Sequence, residues 1–281
     1  MKMLSFLKSA GAAVALTLGL PAFFSCSVKP KPPPGFTVDF LGTGKSDCII
    51  IRADGHVIIN DAAYEENYPA IKTVLDEYGI EKIDCFILSH FDKDHIGGAY
   101  LIVRDYDVGL VIMPDFEVDT PLYKKLLRAV DDTGTSLLRL SENYSAEYGG
   151  AKIAINSPEK EAYDDENNFS LITSVFYGGY SFLLAGDAQK DRMREFYQVC
   201  EESYTLFKLP HHGSFNKGLR VFITNFPSPY AVYTSKSEGD IDEDLSALLS
   251  STGTTVFATS NGRVRAAVSE GKFTAGYFGG K

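Results

Sequence analysis

The chain has 281 residues and is 44% hydrophobic, enough to bury one sizeable core or two small ones, and one catalytic-sized domain is expected. Its 27 basic and 37 acidic residues give a formal net charge of −10, a surface that repels polyanions at long range and argues against a tight nucleic-acid binder. Beyond Cys26 only Cys48, Cys85 and Cys200 remain, an odd number at irregular spacing, so a small disulfide-stapled fold is excluded.

At the N-terminus, Lys2 and Lys8 flank an apolar run from Ala10 through Phe24, an export signal in outline. The run is short for a membrane span, which needs ~20 apolar residues, and a retained anchor is the alternative. Phe-Phe-Ser-Cys, ending at Cys26, resembles the lipobox of bacterial lipoproteins, which implies cleavage and lipidation of Cys26. Residues 1–26 are therefore expected to be a lipoprotein-type signal peptide, 27–35 (SVKPKPPPG) an extended proline-rich spacer, and 36–281 the folded domain. Removing residues 1–26 takes away two lysines and no acids, leaving 25 basic against 37 acidic residues and a charge of −12.

Phe36–Phe40 and Cys48–Arg52 read as strands joined by LGTGKSD. A Walker A loop would need glycine five positions before Gly44, where Asp39 stands, so a tight hairpin turn is the reading. HVIIN is a further strand closed by Asp61, and Tyr68–Tyr78 has helical periodicity with Gly79 as its stop. A buried strand Ile83–Leu88 follows, then SHFDKDHIGG, a helix beginning within Ile96–Val103, the strand Val108–Met113 and a helix over Pro121–Asp131. Lys152–Ile155, Leu171–Tyr177 and Tyr180–Leu184 are strands, the last two turning at Gly178-Gly179. A polar helix spans Gln189–Cys200, LFKLP leads into HHGS, and Tyr230–Thr234 and Thr255–Ala258 alternate with a helix at Asp242–Leu249. VFATSNGRVRAAV is expected to be a closing hairpin turning at Asn261-Gly262. Hairpins mixed with helix-linked strands point to mixed sheets with helices on their outer faces.

Two of the chain's five histidines and two aspartates crowd into His90, Asp92, Asp94 and His95, where a buried strand ends. Imidazoles with carboxylates are a donor set for zinc, manganese or iron, and four groups in six residues are more readily divided between two ions than gathered on one. Asp187 follows the apolar SFLLAG at another strand end, where its two oxygens can bridge ions. His211 and His212 follow LFKLP at a third. Neighbouring side chains leaving a strand point in different directions, so one of this pair is expected as a ligand and the other as an orienting or substrate-binding group.

These motifs, VIINDAA, HFDKDH, GYSFLLAGDA and LPHHGS in that order, resemble the metallo-β-lactamase superfamily, and within it the branch similar to the C-terminal hydrolase domain of the DNA-uptake channel protein ComEC. The resemblance covers about residues 36–265 and implies an α/β fold, an αββα sandwich of two mixed β-sheets flanked by helices, with metals at one edge. It places His90, Asp92 and bridging Asp187 on one ion. The other ion takes Asp94, His95, Asp187 and one of His211/His212, preferably His212, while Asp61 supports from behind. No histidine occurs from Ile96 through Pro210, so the superfamily's third histidine for the first ion is missing, with Asn168 near its expected position; the branch's later His-Pro is replaced by GDIDED.

The implied cofactor is one or two divalent ions, Zn2+ favoured and Mn2+ possible. The implied activity is attack of metal-activated water on a phosphodiester-containing substrate, possibly DNA, by a phosphodiesterase or nuclease outside the cytoplasmic membrane, attached through an N-terminal lipid anchor and with no protein partner expected. Asp94 orients the nucleophile, and the unliganded member of His211/His212, with Ser214, binds phosphate or protonates the leaving oxygen. A β-lactamase-like amide or lactone hydrolase and a catalytically degenerate metal-binding envelope lipoprotein are the alternatives.

Overall fold

The computed structural model describes residues 35–279; the expected signal peptide, Cys26 and the expected spacer through Pro34 lie outside the described residues. Two mixed sheets face each other. The first runs, in spatial order, Lys272–Tyr277, Val264–Ser269, Phe36–Phe40, Ile49–Ala53, His56–Asn60, Cys85–Ile87, Leu110–Pro114 and Ser136–Leu140. The second runs Thr255–Ala258, Tyr230–Tyr233, Leu206–Lys208, Tyr180–Leu184, Ile172–Tyr177, Ala151–Asn156 and Tyr144–Tyr148.

Strand alternation builds the layers. Ile49 and Ile51 turn into the space between the sheets while Ile50 turns out to the helices, and Cys85 and Ile87 alternate with Phe86 in the same way. In the second sheet Phe182 and Leu184 face inward and Leu183 outward. Helices Tyr68–Glu77, Ala99–Asp105 and Pro121–Thr133 cover the first sheet through Ile71, Leu75, Ile102 and Leu126. Helices Lys190–Val199, Lys217–Asn225 and Glu243–Ser251 cover the second through Met193, Phe196, Phe222 and Leu249. The result is the expected αββα sandwich.

Each sheet has a parallel half. His56–Asn60, Cys85–Ile87, Leu110–Pro114 and Ser136–Leu140 run together in one, and Tyr180–Leu184, Leu206–Lys208, Tyr230–Tyr233 and Thr255–Ala258 in the other. Parallel strands joined by crossovers end at one rim, so Asp61, His90, Asp187, His212 and Thr234, all just past strand ends, are gathered there.

Two expectations are corrected. Asn261-Gly262 is no hairpin turn: Thr255–Ala258 lies parallel to Tyr230–Tyr233 in the second sheet, Val264–Ser269 pairs with Phe36–Phe40 in the first, and a short 3-10 turn at Thr259–Asn261 carries the chain between layers. The closing hairpin instead turns at Glu270-Gly271, both with positive φ. The run Ile83–Leu88 is interrupted at Asp84: its Oδ2 accepts the Val57 N–H at 2.9 Å, Lys82–Ile83 pairs with Asp107–Val108, and only Cys85–Ile87 enters the large sheet. Among elements the sequence pattern did not show, the half-exposed strands Ser136–Leu140 and Tyr144–Tyr148 and the helix Lys217–Asn225 complete the fold.

One glycine is indispensable to the rim. A Cβ at Gly97 would stand 2.6 Å from both Ala63 O and Lys93 O and closer still to Glu65 N, all backbone atoms without freedom to yield. Gly97→Ala is therefore expected to destabilise by about 1–3 kcal/mol or more, as overpacking does, read as a lower thermal midpoint beside wild type.

Candidate metal centre

Each donor reaches the rim by its own local route. The strand Cys85–Ile87 runs out through Leu88 to Ser89 and His90, and the one-turn helix Lys93–Ile96 then presents Asp94 and His95. Asp187 follows Tyr180–Leu184 across Gly186, whose positive φ and close approach to Ser89 leave no room for a side chain. His211 and His212 lie just beyond Leu206–Lys208, both left-handed, with φ of 47° and 54°. That conformation costs a non-glycine residue about 1–2 kcal/mol each, and it turns both imidazoles toward Asp187, with His212 among the donors and His211 beside them.

Asp94, His95, Asp187 and His212 bring one donor atom apiece within 4.8 Å of one another. His95 Nε2 is 3.1 Å from Asp187 Oδ1, and His212 Nε2 is 3.2 Å from Asp94 Oδ2 and 3.4 Å from Asp187 Oδ2. Four donors on a tetrahedral ion at bonds of ~2.0 Å stand about 3.3 Å apart, so the spacing suits a metal such as zinc. His95 Nε2 and Asp187 Oδ1 are also buried without a hydrogen bond, a costly state that a cation between them removes. These residues fit a divalent ion.

Electrostatics agree. Burial opposes charge on every member, yet Asp187 and Asp61 hold His95 well above the usual histidine value, and Asp187 with Asp47 and Asp94 lifts His212 to about 10. Asp187 is itself kept well below the carboxylate range, against its burial, by His95 and His212. The pocket demands positive charge, and protons supply it where a metal does not.

Around the four donors the other candidates fall into three places. Asp61 stands behind His95: its Oδ2 lies 2.9 Å from His95 Nδ1 and accepts the Ser89 hydroxyl at 2.8 Å, while its Oδ1 accepts the Ser89 N–H at 2.7 Å. A carboxylate accepting the Nδ1 proton leaves His95 Nε2 as the bare donor. The Ser89 hydroxyl, its proton given to Asp61, accepts from His90 Nδ1 at 3.0 Å, so His90 Nε2 is bare as well, and it too is buried without a hydrogen bond. His90 and the half-exposed Asp92 flank the four donors, 3.7 Å apart, and form a sparser second set. On the opposite flank His211 is 30% exposed; its Nδ1 accepts from the Gln189 amide at 2.8 Å and its Nε2 lies 4.0 Å from Asp187. Burial, with the positive charges of His212, Lys45 and Lys208, keeps His211 below the ordinary histidine value despite Asp187.

Asn168 and Ser214 are placed less directly. Asn168 Oδ1 accepts the N–H of the fully buried Arg192 at 3.1 Å, and two residues on the Ser170 hydroxyl accepts the Asp187 N–H at 3.2 Å, so this turn braces the Asp187 loop. Ser214 is half-buried and its N–H closes the turn onto His211 O at 2.9 Å.

A model of the metallo-beta-lactamase superfamily matches residues 41–238. The chain belongs to that superfamily. Membership places it among the metallo-β-lactamase-fold metal-dependent hydrolases. Similar to it are ComE operon protein 3 of Bacillus subtilis, 26% identical over 196 residues that cover 63% of this chain and 25% of that protein, and Recombination protein 2 of Haemophilus influenzae, 28% identical over 193 residues that cover 64% and 22%. The chain thus spans about a quarter of the length of these relatives. The metallo-beta-lactamase fold protein YhfI from Bacillus subtilis superposes with a TM-score of 0.56 at 10% identity, over 86% of this chain and all of that one, a likeness of fold.

Sequence reasoning missed Asp47, Thr234 and Lys208, all buried at the rim. Asp47 was hidden in a turn-like GTGKSD, but a lysine inside the apolar LFKLP was a legible signal, because a buried ammonium needs a carboxylate partner. The unequal placement of the histidine pair yields a test. His212→Ala is expected to lower affinity for Zn2+ by more than ~100-fold, whereas His211→Ala retains the ion, measured by chelator competition and metal analysis.

Proposed function

We propose that this chain is a phosphodiesterase or nuclease dependent on divalent metal, Zn2+ in first place and Mn2+ in second, working outside the cytoplasmic membrane on a lipid anchor at Cys26. The observation that carries the reading is the four-donor cluster with a neutral, partly exposed histidine beside it. Support for a phosphodiester comes from the order HFDKDH, GDA, HHGS and from similarity to a protein named for recombination. The export signal in residues 1–26 supports the location; among the described residues no helix is long and apolar enough to cross a membrane.

Asp94, His95, Asp187 and His212 would hold one ion, and His90 and Asp92 with Asp187 a second, and bound metal would supply Lewis acidity toward a phosphoryl oxygen and lower the pKa of water. The residues do the rest. Asp94, tethered through its contact with His212, holds an acceptor where an attacking water is oriented. His211, with Gln189 donating to its Nδ1, carries its proton on Nε2, the atom facing the cluster, and is placed to hold a phosphoryl oxygen by a hydrogen bond. Ser214, at the end of the same turn, adds a hydroxyl for phosphate. The net charge of −10 favours a short or envelope-borne phosphodiester over long DNA, because the protein's field opposes a polyanion beyond the immediate reach of the metals.

The assay is hydrolysis of bis(p-nitrophenyl) phosphate, linear DNA and nitrocefin by wild type and Asp187→Ala, each with Zn2+ or Mn2+. Turnover of either phosphodiester, reduced at least ~100-fold by Asp187→Ala, is expected. Nitrocefin turnover alone assigns the amide-hydrolase alternative, and no turnover with any divalent ion assigns the degenerate one.

A further inference from the structure

Behind His212 lies a group of buried residues that hydrolysis does not explain. Lys208 is fully buried and ion-paired with Asp47, and both are shut off from solvent together with Thr234. The Thr234 hydroxyl donates to Asp47 Oδ1 at 2.6 Å and sits 2.7 Å from His212 Nδ1. Asp47 Oδ1 is itself 3.4 Å from that nitrogen, and its Oδ2 lies 3.9 Å from His95 Nδ1.

The protons available fix the direction of each of these hydrogen bonds. A hydroxyl has one proton and lone pairs to accept with; Thr234 gives its proton to Asp47, so toward His212 it can only accept. His212 Nδ1 must then carry hydrogen, and with a metal in place Nε2 is bare, aimed at the space between Asp94 and Asp187. A threonine proton turned the other way would leave two oxygen lone pairs, those of Thr234 and Asp47, facing each other at 2.6 Å in a dry site, so the carboxylate dictates the direction. Lys208 in turn holds Asp47 ionised in that dry site: its ammonium lies against the carboxylate, and without it the buried charge would stand uncompensated.

We infer that Asp47, Thr234 and Lys208 form a positioning relay that locks His212 in the metal-binding tautomer and orientation. The relay repeats, on the second sheet, the device that Ser89 and Asp61 build on the first, where a hydroxyl likewise donates to a carboxylate and accepts from a histidine Nδ1. Its residues come from three separate places, the loop before Ile49–Ala53, the strand Leu206–Lys208 and the end of Tyr230–Tyr233, so it also ties the sheets together directly behind the donors. The inference rests on reading the four donors as a metal site.

The test uses the full chain, with Zn2+ as the probe. Thr234→Val keeps the shape and removes the hydroxyl; Thr234→Ser restores it. Zn2+ affinity by chelator competition is expected to fall about 10–100-fold in Thr234→Val and to recover to within about threefold of wild type in Thr234→Ser. Asp47→Asn is expected to fall comparably, and the double variant Asp47→Asn/Thr234→Val no further than the weaker single one, because both act through His212. Should Thr234→Val fail to fold, Asp47→Asn against wild type and Thr234→Ser carries the comparison. Unimpaired Zn2+ binding by the Thr234→Val or Asp47→Asn chain, or equal losses in Thr234→Val and Thr234→Ser, overturns the relay. A wild-type chain that binds no Zn2+ overturns the metal reading itself, a result distinct from either.

Discussion

Two carboxylates and two imidazoles held within 4.8 Å of each other in a dry rim are the constraint around which this molecule is arranged. Such a cluster is unfavourable without positive charge at its centre, since desolvated carboxylates repel and their oxygens lose water as a partner. The fold contributes rigidity: the donors sit at ends of strands whose inward faces interlock across one apolar layer, so none can retreat without disturbing packed side chains. Binding energy for an ion is stored in that refusal to relax.

The supporting structure follows one rule applied twice. In each sheet a hydroxyl next to a ligand strand surrenders its proton to a buried carboxylate and accepts one from an imidazole Nδ1, Ser89 with Asp61 on one side and Thr234 with Asp47 on the other. Local strain accompanies this. Asp61, His211 and His212 are non-glycine residues with positive φ, and each lies where a strand ends and its side chain must be swung toward the rim. The backbone conformations are unfavourable locally and are maintained by the hydrogen bonds and packing around them.

The centre is lopsided. The four-donor set is compact and, apart from the partly exposed Asp94, buried, while His90 faces a half-exposed Asp92 and no third imidazole joins them from the long stretch Ile96–Pro210. The place near Asn168 is taken by structure: its side-chain oxygen is committed to Arg192, which also bonds Ser170 O and Asn156 and so fixes the turn that holds Asp187.

Several features were legible in the chain because they are written over short distances. Short apolar runs bounded by turn residues gave the central strands, and His90, Asp92, Asp94 and His95 announce a metal site through residue chemistry packed into six positions. Asp187 and the histidine pair were legible from their place after apolar runs. What tertiary structure alone decided is everything that depends on which strand lies beside which. Asn261-Gly262 has the composition of a hairpin, but its flanking strands are claimed by different sheets, and long-range pairing overrides the local turn preference. Asp47 and Thr234 are 187 residues apart and look like a turn residue and a strand terminus until the sheets close and one hydroxyl joins them. The choice between His211 and His212 was likewise beyond the sequence, because it turns on a left-handed backbone and on what stands behind each Nδ1, a half-buried glutamine amide or a buried threonine. Composition and spacing state which chemistry is present; only the folded arrangement states where each proton resides.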